Sequence, residues 1–182
     1  MGEPKQHIKI HGKTFLEHIC DTVSPLREKF SGLIFIGSPS DEPGKNLTNS
    51  IGGKSVDNFD IDLGPLHSIR LGCAQIQDVE GFLLWPVDHP LIQSETVSEI
   101  LRKGEEFPEG IIIPTHKGKR GHPSRFPDWT KKILRESPLD VGARWVLQKF
   151  PDRIKHVEVG DFWVTMNLNS PEKLLEARSK FT

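Results

Sequence analysis

Asp88 follows the apolar run Phe82-Leu83-Leu84-Trp85-Pro86-Val87 and precedes His89-Pro90-Leu91, so a carboxylate stands where a hydrophobic strand ends. A strand apolar on both faces reads as buried and parallel. It carries its terminal acid to the carboxyl edge of a sheet, where open α/β folds bind ligands. Such a carboxylate can hold Mg2+, which takes one or two protein carboxylates and fills its shell with water and substrate phosphates. The plainer alternative is a turn, because Asp commonly shapes turns.

Two further segments offer complementary chemistry. Lys117, Lys119, Arg120 and Arg125 gather positive charge around Gly118, Gly121, His122 and Pro123. Glycine lets backbone amides come close to an anion, which makes this stretch a candidate phosphate cradle; a solvated basic turn is the bland reading. His122 either donates to a phosphate or braces the loop, according to its surroundings. Downstream, Asn169 offers a neutral oxygen to the cation that Asp88 would hold, while Ser170-Pro171 also reads simply as a helix start. In this order the three pieces point to metal-assisted nucleotide chemistry.

The elements that must position these residues follow from periodicity. Phe15, Leu16, Ile19, Cys20 and Val23 recur at helical spacing after Thr14, a good cap, and Pro25 ends or kinks that helix. Gly32-Leu33-Ile34-Phe35-Ile36-Gly37 is a short buried strand. Residues 38–62 are rich in Ser, Pro, Gly, Asn and Asp and read as a long surface segment. Leu66, Ile69, Cys73 and Ile76 mark a helix opening near Gly64-Pro65, and Thr96, Val97, Ile100 and Leu101 mark another. Ile111-Ile112-Ile113-Pro114 is a strand leading into the basic loop, with short helices expected over 127–136 and 139–149. Residues 154–159 and 162–167 read as strands, either paired around Gly160-Asp161 or in separate parts of the sheet. Pro171 opens a final helix carrying Leu174, Leu175 and Phe181. Alternating strands and helices predict a three-layer α/β/α domain with a mainly parallel sheet.

Composition narrows the class. The 182 residues suit one domain. A net charge of -1 and a pI near 6.7 give no global reason to expect nucleic acid or an anionic membrane, so any anion site is local. Cys20 and Cys73 lie in apolar helical patterns and read as buried free thiols. No run approaches the roughly 18 apolar residues of a membrane span, and a cytoplasmic enzyme or binding protein is expected.

Taken together, these segments resemble the nucleotidyltransferases of the molybdenum cofactor cytidylyltransferase type (MobA-like NTP transferases), within the glycosyltransferase-A-like fold. The likeness runs from Met1-Gly2-Glu3-Pro4-Lys5 and Gly12-Lys13-Thr14-Phe15-Leu16-Glu17 through Gly64-Pro65-Leu66-His67-Ser68-Ile69-Arg70 and Val87-Asp88-His89-Pro90-Leu91. It continues with the family's Arg-Gly-His-Pro element at Arg120-Gly121-His122-Pro123, then Val141-Gly142-Ala143-Arg144 and Leu168-Asn169-Ser170-Pro171-Glu172-Lys173-Leu174. The resemblance implies transfer of a nucleotidyl group from CTP or GTP to a phosphorylated acceptor such as a pterin phosphate, releasing pyrophosphate. It implies Asp88 and Asn169 as ligands of Mg2+, and Lys5, with Gly2, Gly64 and Ser68, at the nucleotide. Arg120, Gly121, His122 and Pro123 would lie at the acceptor or base, with Lys5, Asp88 and His122 as the catalytic set. Positioning and charge neutralisation suffice for in-line displacement at phosphorus. A sugar-phosphate nucleotidyltransferase of the same fold and a non-catalytic binding or interaction domain are the competing readings.

Three departures accompany the likeness. His89 stands where the family usually has Gln, and Lys173 where it has Asp. The family also opens with a strand and a glycine-rich loop, ahead of the residues that match Met1-Gly2, and residues 1–182 are expected to be a single domain lacking both. An interior strand cannot be removed without leaving backbone donors and acceptors unpaired on both sides. A shortened gene product, a differently closed fold and a strand donated by another chain each account for this, and the first is the expectation. In-frame codons for an Ala-Ala-Gly loop are expected in the DNA upstream of Met1; stop codons directly before Met1 would exclude a shortened product.

Overall fold

The computed structural model describes residues 4–181. Gly2, expected at the nucleotide, lies outside them, as do Met1 and Glu3. A short hairpin comes first, β1 (Lys9–Ile10) against β2 (Lys13–Thr14). Its two turn residues, His11 and Gly12, have φ 47° and 85°, the left-handed pair that a tight two-residue hairpin requires. Thr14 then caps α1 (Phe15–Val23): its hydroxyl accepts from the Glu17 amide at 3.2 Å while the Glu17 carboxylate accepts from the Thr14 amide at 2.6 Å. Beyond α1 lie β3 (Ile34–Gly37), α2 (Glu42–Ser50), β4 (Lys54–Asp57), α3 (Pro65–Cys73) and β5 (Gly81–Leu84). The rest is α4 (Ser94–Glu106), β6 (Ile111–His116), β7 (Lys119–Arg120), β8 (Ser124–Pro127), α5 (Thr130–Glu136), α6 (Arg144–Lys149), β9 (Ile154–Glu158) and α7 (Pro171–Lys180).

β6 is the spine. Side chains alternate across a strand, and here both faces are covered. Ile111 and Ile113 pack with Leu66, Phe126, Leu134 and Val146 on one side, and Ile112 packs with Ile100 and Val157 on the other. Helices on both faces make the expected α/β/α arrangement. The parallel pairs are β3 with β4 and β6 with β9, whereas β8 runs antiparallel to both β5 and β6, and β7 folds back on β6.

Four local expectations change. The strand expected over 82–87 is β5, which stops at Leu84 because Pro86 supplies no amide to a ladder, and it lies antiparallel to β8 rather than in a parallel pair. Residues 154–158 join β6 in parallel and make no hairpin with residues 162–167. Residues 162–165 form a 3-10 turn instead of a strand, because the Asp161 side chain accepts from the Trp163 amide at 3.0 Å and holds the chain in a tight turn. The polar stretch 38–62 contains α2 and β4; Asp41 caps α2, accepting from the Gly44 amide at 3.0 Å.

The sheet is split. β3 and β4 form one two-stranded piece, and β5, β8, β6, β7 and β9 form another. Lys54 and Asn58 donate to the Leu33 and Gly37 carbonyls, so the alternation of a ladder turns the backbone groups of Ile34 and Ile36 away from β4. Asp128 donates to the Glu80 carbonyl across β5 and β8, so those of Gly81 and Leu83 turn away from β8. Neither edge has a partner strand among the described residues. Every residue of β3 and β5 is half-buried, while every residue of β8 is buried. α3 touches both pieces: Gly72 lies against Ile36, and Leu66, Ile69 and Cys73 pack with Phe82 and Leu84.

Arg125 does not contribute to a basic loop. It is buried in β8, where its guanidinium donates to the carbonyls of Pro108 at 2.7 Å, Gly110 at 3.1 Å and Glu80 at 3.3 Å. The guanidinium thus ties together two chain segments, the loop 108–110 and the entry to β5 at Glu80. Arg125→Met, similar in length but without donors, is expected to lower the stability of the fold by about 2–4 kcal/mol, at the rate of about 1–3 kcal/mol per buried polar group left unpaired. A urea titration followed by circular dichroism measures it, and an unchanged midpoint would show that the carbonyls find other donors.

Candidate active site around Asp88

Asp88 sits in a turn that the surrounding backbone fixes. His89 donates its amide to the Pro86 carbonyl at 3.1 Å, and the Trp85 indole donates to the His89 carbonyl at 2.8 Å. The Leu168 amide donates to the Asp88 carbonyl at 2.7 Å, which lays the segment carrying Asn169 beside the turn. From the amino-terminal side, the Lys5 ammonium meets the Asp88 carboxylate at 3.0 Å. Lys5 stands on a 3-10 turn over Lys5–His7, anchored by Asp41: His7 Nε2 lies 2.8 Å from one carboxylate oxygen and Gln6 donates to the other at 2.6 Å. A salt link with one partner in solvent is worth little for stability. Its placement is the informative part.

His122 approaches the same place. Its ring centre is 4.8 Å from that of His89, and His89 Nε2 is 3.9 Å from the Asp88 carboxylate. Burial, then the neighbouring His122, pushes the His89 imidazole down to about 4, with Asp88 acting weakly the other way; burial likewise lowers His122 against the pull of Asp88. Both rings are therefore neutral near pH 7. Asn167 and Lys173 close the far side, where the Lys173 ammonium donates to the Asn167 side chain. Asn169 is exposed.

The basic loop is built differently from its sequence reading. Lys117 and Gly118, with φ 50° and 73°, are the turn of a tight β6–β7 hairpin. Their amides point at a carboxylate already present: Lys117 donates to Glu158 at 2.6 Å and Gly118 also hydrogen-bonds it. A hydrogen bond from Thr115, then those amides, hold the Glu158 carboxyl below its usual range. The amides of Gly121 and His122 are engaged as well, with the Pro114 carbonyl at 2.8 Å and the Val164 carbonyl at 2.9 Å. Gly121 is required by packing, since a Cβ there would collide with the Val164 carbonyl. The loop is thus no backbone cradle for phosphate. What it offers is side chains: exposed Lys119, exposed Arg120 and the His122 ring. Arg120 donates to His156 at 2.9 Å, and Pro123 is buried behind a cis peptide bond with His122.

The structure therefore brings Lys5, Asp88 and His122 together with the segment of Asn169. Gly64 and Ser68 form a separate cluster. Gly64, with φ 82°, turns the chain into α3, and the Ser68 hydroxyl accepts from buried Asn58 at 2.9 Å. Asp161 and Glu158 escaped the sequence reading, because both look like ordinary polar residues flanking a turn. His89 was visible only as a departure from the family's Gln. Both cysteines are free; Cys20 is buried as expected, Cys73 is half-buried, and burial raises each thiol to about 11.

As a cation site the donor set is sparse: no group of three or more His, Cys, Asp and Glu side chains is placed to hold a metal among the described residues. One carboxylate and a neighbouring amide oxygen fit an ion such as Mg2+, which keeps water and binds largely through substrate phosphates, and do not fit an all-protein cage. No helix among the described residues is long and apolar enough to cross a membrane.

Solved structures share the fold. Rv0371c from Mycobacterium tuberculosis H37Rv is 18% identical, with a TM-score of 0.79 over 98% of this chain and 91% of that one; a second structure of it is a manganese complex. The molybdopterin-guanine dinucleotide biosynthesis protein A of Archaeoglobus fulgidus is 17% identical, with a TM-score of 0.70 over 98% and 90%. The 2-C-methyl-D-erythritol 4-phosphate cytidylyltransferase of Thermus thermophilus is 16% identical, with a TM-score of 0.68 over 97% and 93%. A search of curated proteins finds no match to this chain. A strand-built Asp88 turn, a Lys at its carboxylate and an Arg-Gly-His-Pro loop folded toward it thus accompany a nucleotidyltransferase fold, and over residues 1–158 the sequence matches the MobA-like NTP transferase domain, the family to which the chain belongs.

Proposed function

We propose that this chain carries the site for nucleotidyl transfer from CTP or GTP to a phosphorylated acceptor of the molybdopterin type, with Mg2+ as the cation and in a cytoplasmic setting. An acceptor phosphate oxygen forms the bond to the α-phosphorus and pyrophosphate leaves with the bond it breaks. The observation that carries the reading is the 3.0 Å contact of Lys5 with Asp88, in a turn whose backbone is tied to Leu168, next to Asn169.

Asp88 and Asn169 would hold the cation, which supplies charge neutralisation at the reacting phosphate. Lys5, partnered with Asp88 in the structure, is placed to transfer its ammonium to triphosphate oxygens once Asp88 has another positive partner. Arg120 and Lys119 present exposed charge toward an anionic acceptor, and the neutral His122 ring offers a hydrogen-bonding group. Gly64 and Ser68, at the start of α3, are assigned to the nucleotide. No covalent intermediate is needed, because positioning and electrostatics suffice.

The unpaired edges of β3 and β5 favour a second reading, in which the fold binds without turnover. On this view no nucleotide is turned over even when the family's strand and glycine-rich loop are supplied, whereas on the first reading residues 1–182 by themselves are impaired for want of that loop.

Pyrophosphate release is to be measured with each of the four nucleoside triphosphates, with and without Mg2+, on this chain and on one carrying a restored upstream loop. Release from CTP or GTP by the extended protein, lost without Mg2+ and reduced about 100-fold or more by Asp88→Ala, is expected. Absence of release from every nucleotide by the extended protein would favour the non-catalytic reading. Calorimetry with CTP and Mg2+ gives a separate check: tight binding that survives Asp88→Ala would remove Asp88 from the site.

A further inference from the structure

His89 and His122 leave matching atoms unused. The Nδ1 atoms of both rings are buried and have no hydrogen-bond partner among the described residues. His89 keeps only 7% of its surface exposed, and its ring centre lies 4.8 Å from that of His122 at an interplanar angle of 60°. A buried nitrogen without a partner costs about 1–3 kcal/mol, so two of them side by side are a marked liability unless they serve each other.

The surroundings of His89 fix which of its nitrogens bears the proton. Nε2 lies 3.9 Å from the Asp88 carboxylate, and a backbone acceptor at Trp163 also favours an N–H on this ring, whose Nδ1 is the unpartnered nitrogen. Acceptors call for an N–H, so the proton belongs on Nε2 and Nδ1 carries a lone pair. For His122 the only complementary form toward that lone pair is an Nδ1–H donor. Its backbone cannot drift away, since its amide is bonded to Val164 and Gly121 is packed against the same carbonyl.

We propose that His89 is a positioning residue that holds His122 in its Nδ1–H form, leaving His122 Nε2 as a fixed hydrogen-bond acceptor for an O–H or N–H group of the substrate. The proposed chain of donors runs from His122 Nδ1 to His89 Nδ1, and from His89 Nε2 toward the Asp88 carboxylate. The first link requires a ring rotation that brings the two Nδ1 atoms within hydrogen-bond distance. Free neutral histidine favours the opposite form, with the proton on Nε2, so the selected state has a distinct signature. The inference rests on the reading of His122 as a group that meets substrate, but the tautomer itself is independent of turnover.

The test is long-range proton–nitrogen correlation on protein with 15N-labelled histidine, above pH 7, with the two residues assigned through His89→Gln and His122→Gln. The wild type is expected to show His89 protonated on Nε2 and His122 on Nδ1. In His89→Leu, which has no acceptor, His122 is expected to revert to the Nε2–H form; in His89→Gln, whose amide oxygen can accept, it is expected to stay Nδ1–H. A wild-type spectrum with His122 protonated on Nε2 overturns the proposal even if His89→Leu fails to fold. So does an unchanged His122 in a folded His89→Leu. A protein inactive toward every nucleotide but with the expected tautomers would instead count against the nucleotidyl-transfer reading alone.

Discussion

The backbone of residues 161–168 is the constraint on which the site depends. Asp161 is buried and accepts from the Gln93 amide at 2.9 Å, the Thr96 hydroxyl at 3.0 Å and the Trp163 amide at 3.0 Å, joining the start of α4 to the turn after β9. The next few residues distribute that rigidity. The Val164 carbonyl receives His122, and the Leu168 amide reaches back to Asp88. With Trp163, Val164 and Leu168 themselves in the core, one short turn fixes α4, the Arg-Gly-His-Pro loop and the Asp88 turn relative to one another. A carboxylate with three hydrogen bonds in a buried place is costly to replace, since removal strands each donor.

Electrostatics at the centre follows from the same crowding. Burial keeps both imidazoles neutral, so among the described residues the positive charge paired with Asp88 is Lys5. The strongest anion-binding geometry of the basic hairpin is already satisfied by Glu158. Beyond Lys5, the positive charge that this hairpin offers sits on the exposed side chains of Lys119 and Arg120. This division suits recognition of a phosphorylated molecule that is neither released too slowly nor held by charge alone.

Much of this was legible in the residues. Thr14 announces a cap, the apolar spacing of 15–23 gives α1, and Ile111-Ile112-Ile113 gives the spine of the sheet. Asp88 at the end of an apolar run and the Arg-Gly-His-Pro element stand out in the sequence, and the fold brings the two segments close together. The rest was hidden because it depends on partners distant in sequence. α2 has few apolar residues and is recognisable only through Asp41 and Pro43 at its start. Residues 162–165 have strand-like composition, yet the Asp161 side chain wins the local competition for the backbone. Gly118 and Gly121 looked like a phosphate cradle until Glu158, some forty positions away, and Val164 were seen to occupy it.

The break between β3 and β5 sets a boundary of cooperativity. Among the described residues β3, β4 and α2 share no ladder with the spine; they are held to the rest through α3, through α1 and through Asp41, which grips His7 and Gln6. Hydrogen-bonded sheet is what usually makes a domain melt as one body, so this corner has its own opening equilibrium, shallower than that of β6. Because Lys5 rides on the same turn as Gln6 and His7, each such excursion loosens the ammonium from Asp88, and the breathing of a remote corner becomes a modulator of charge at the centre.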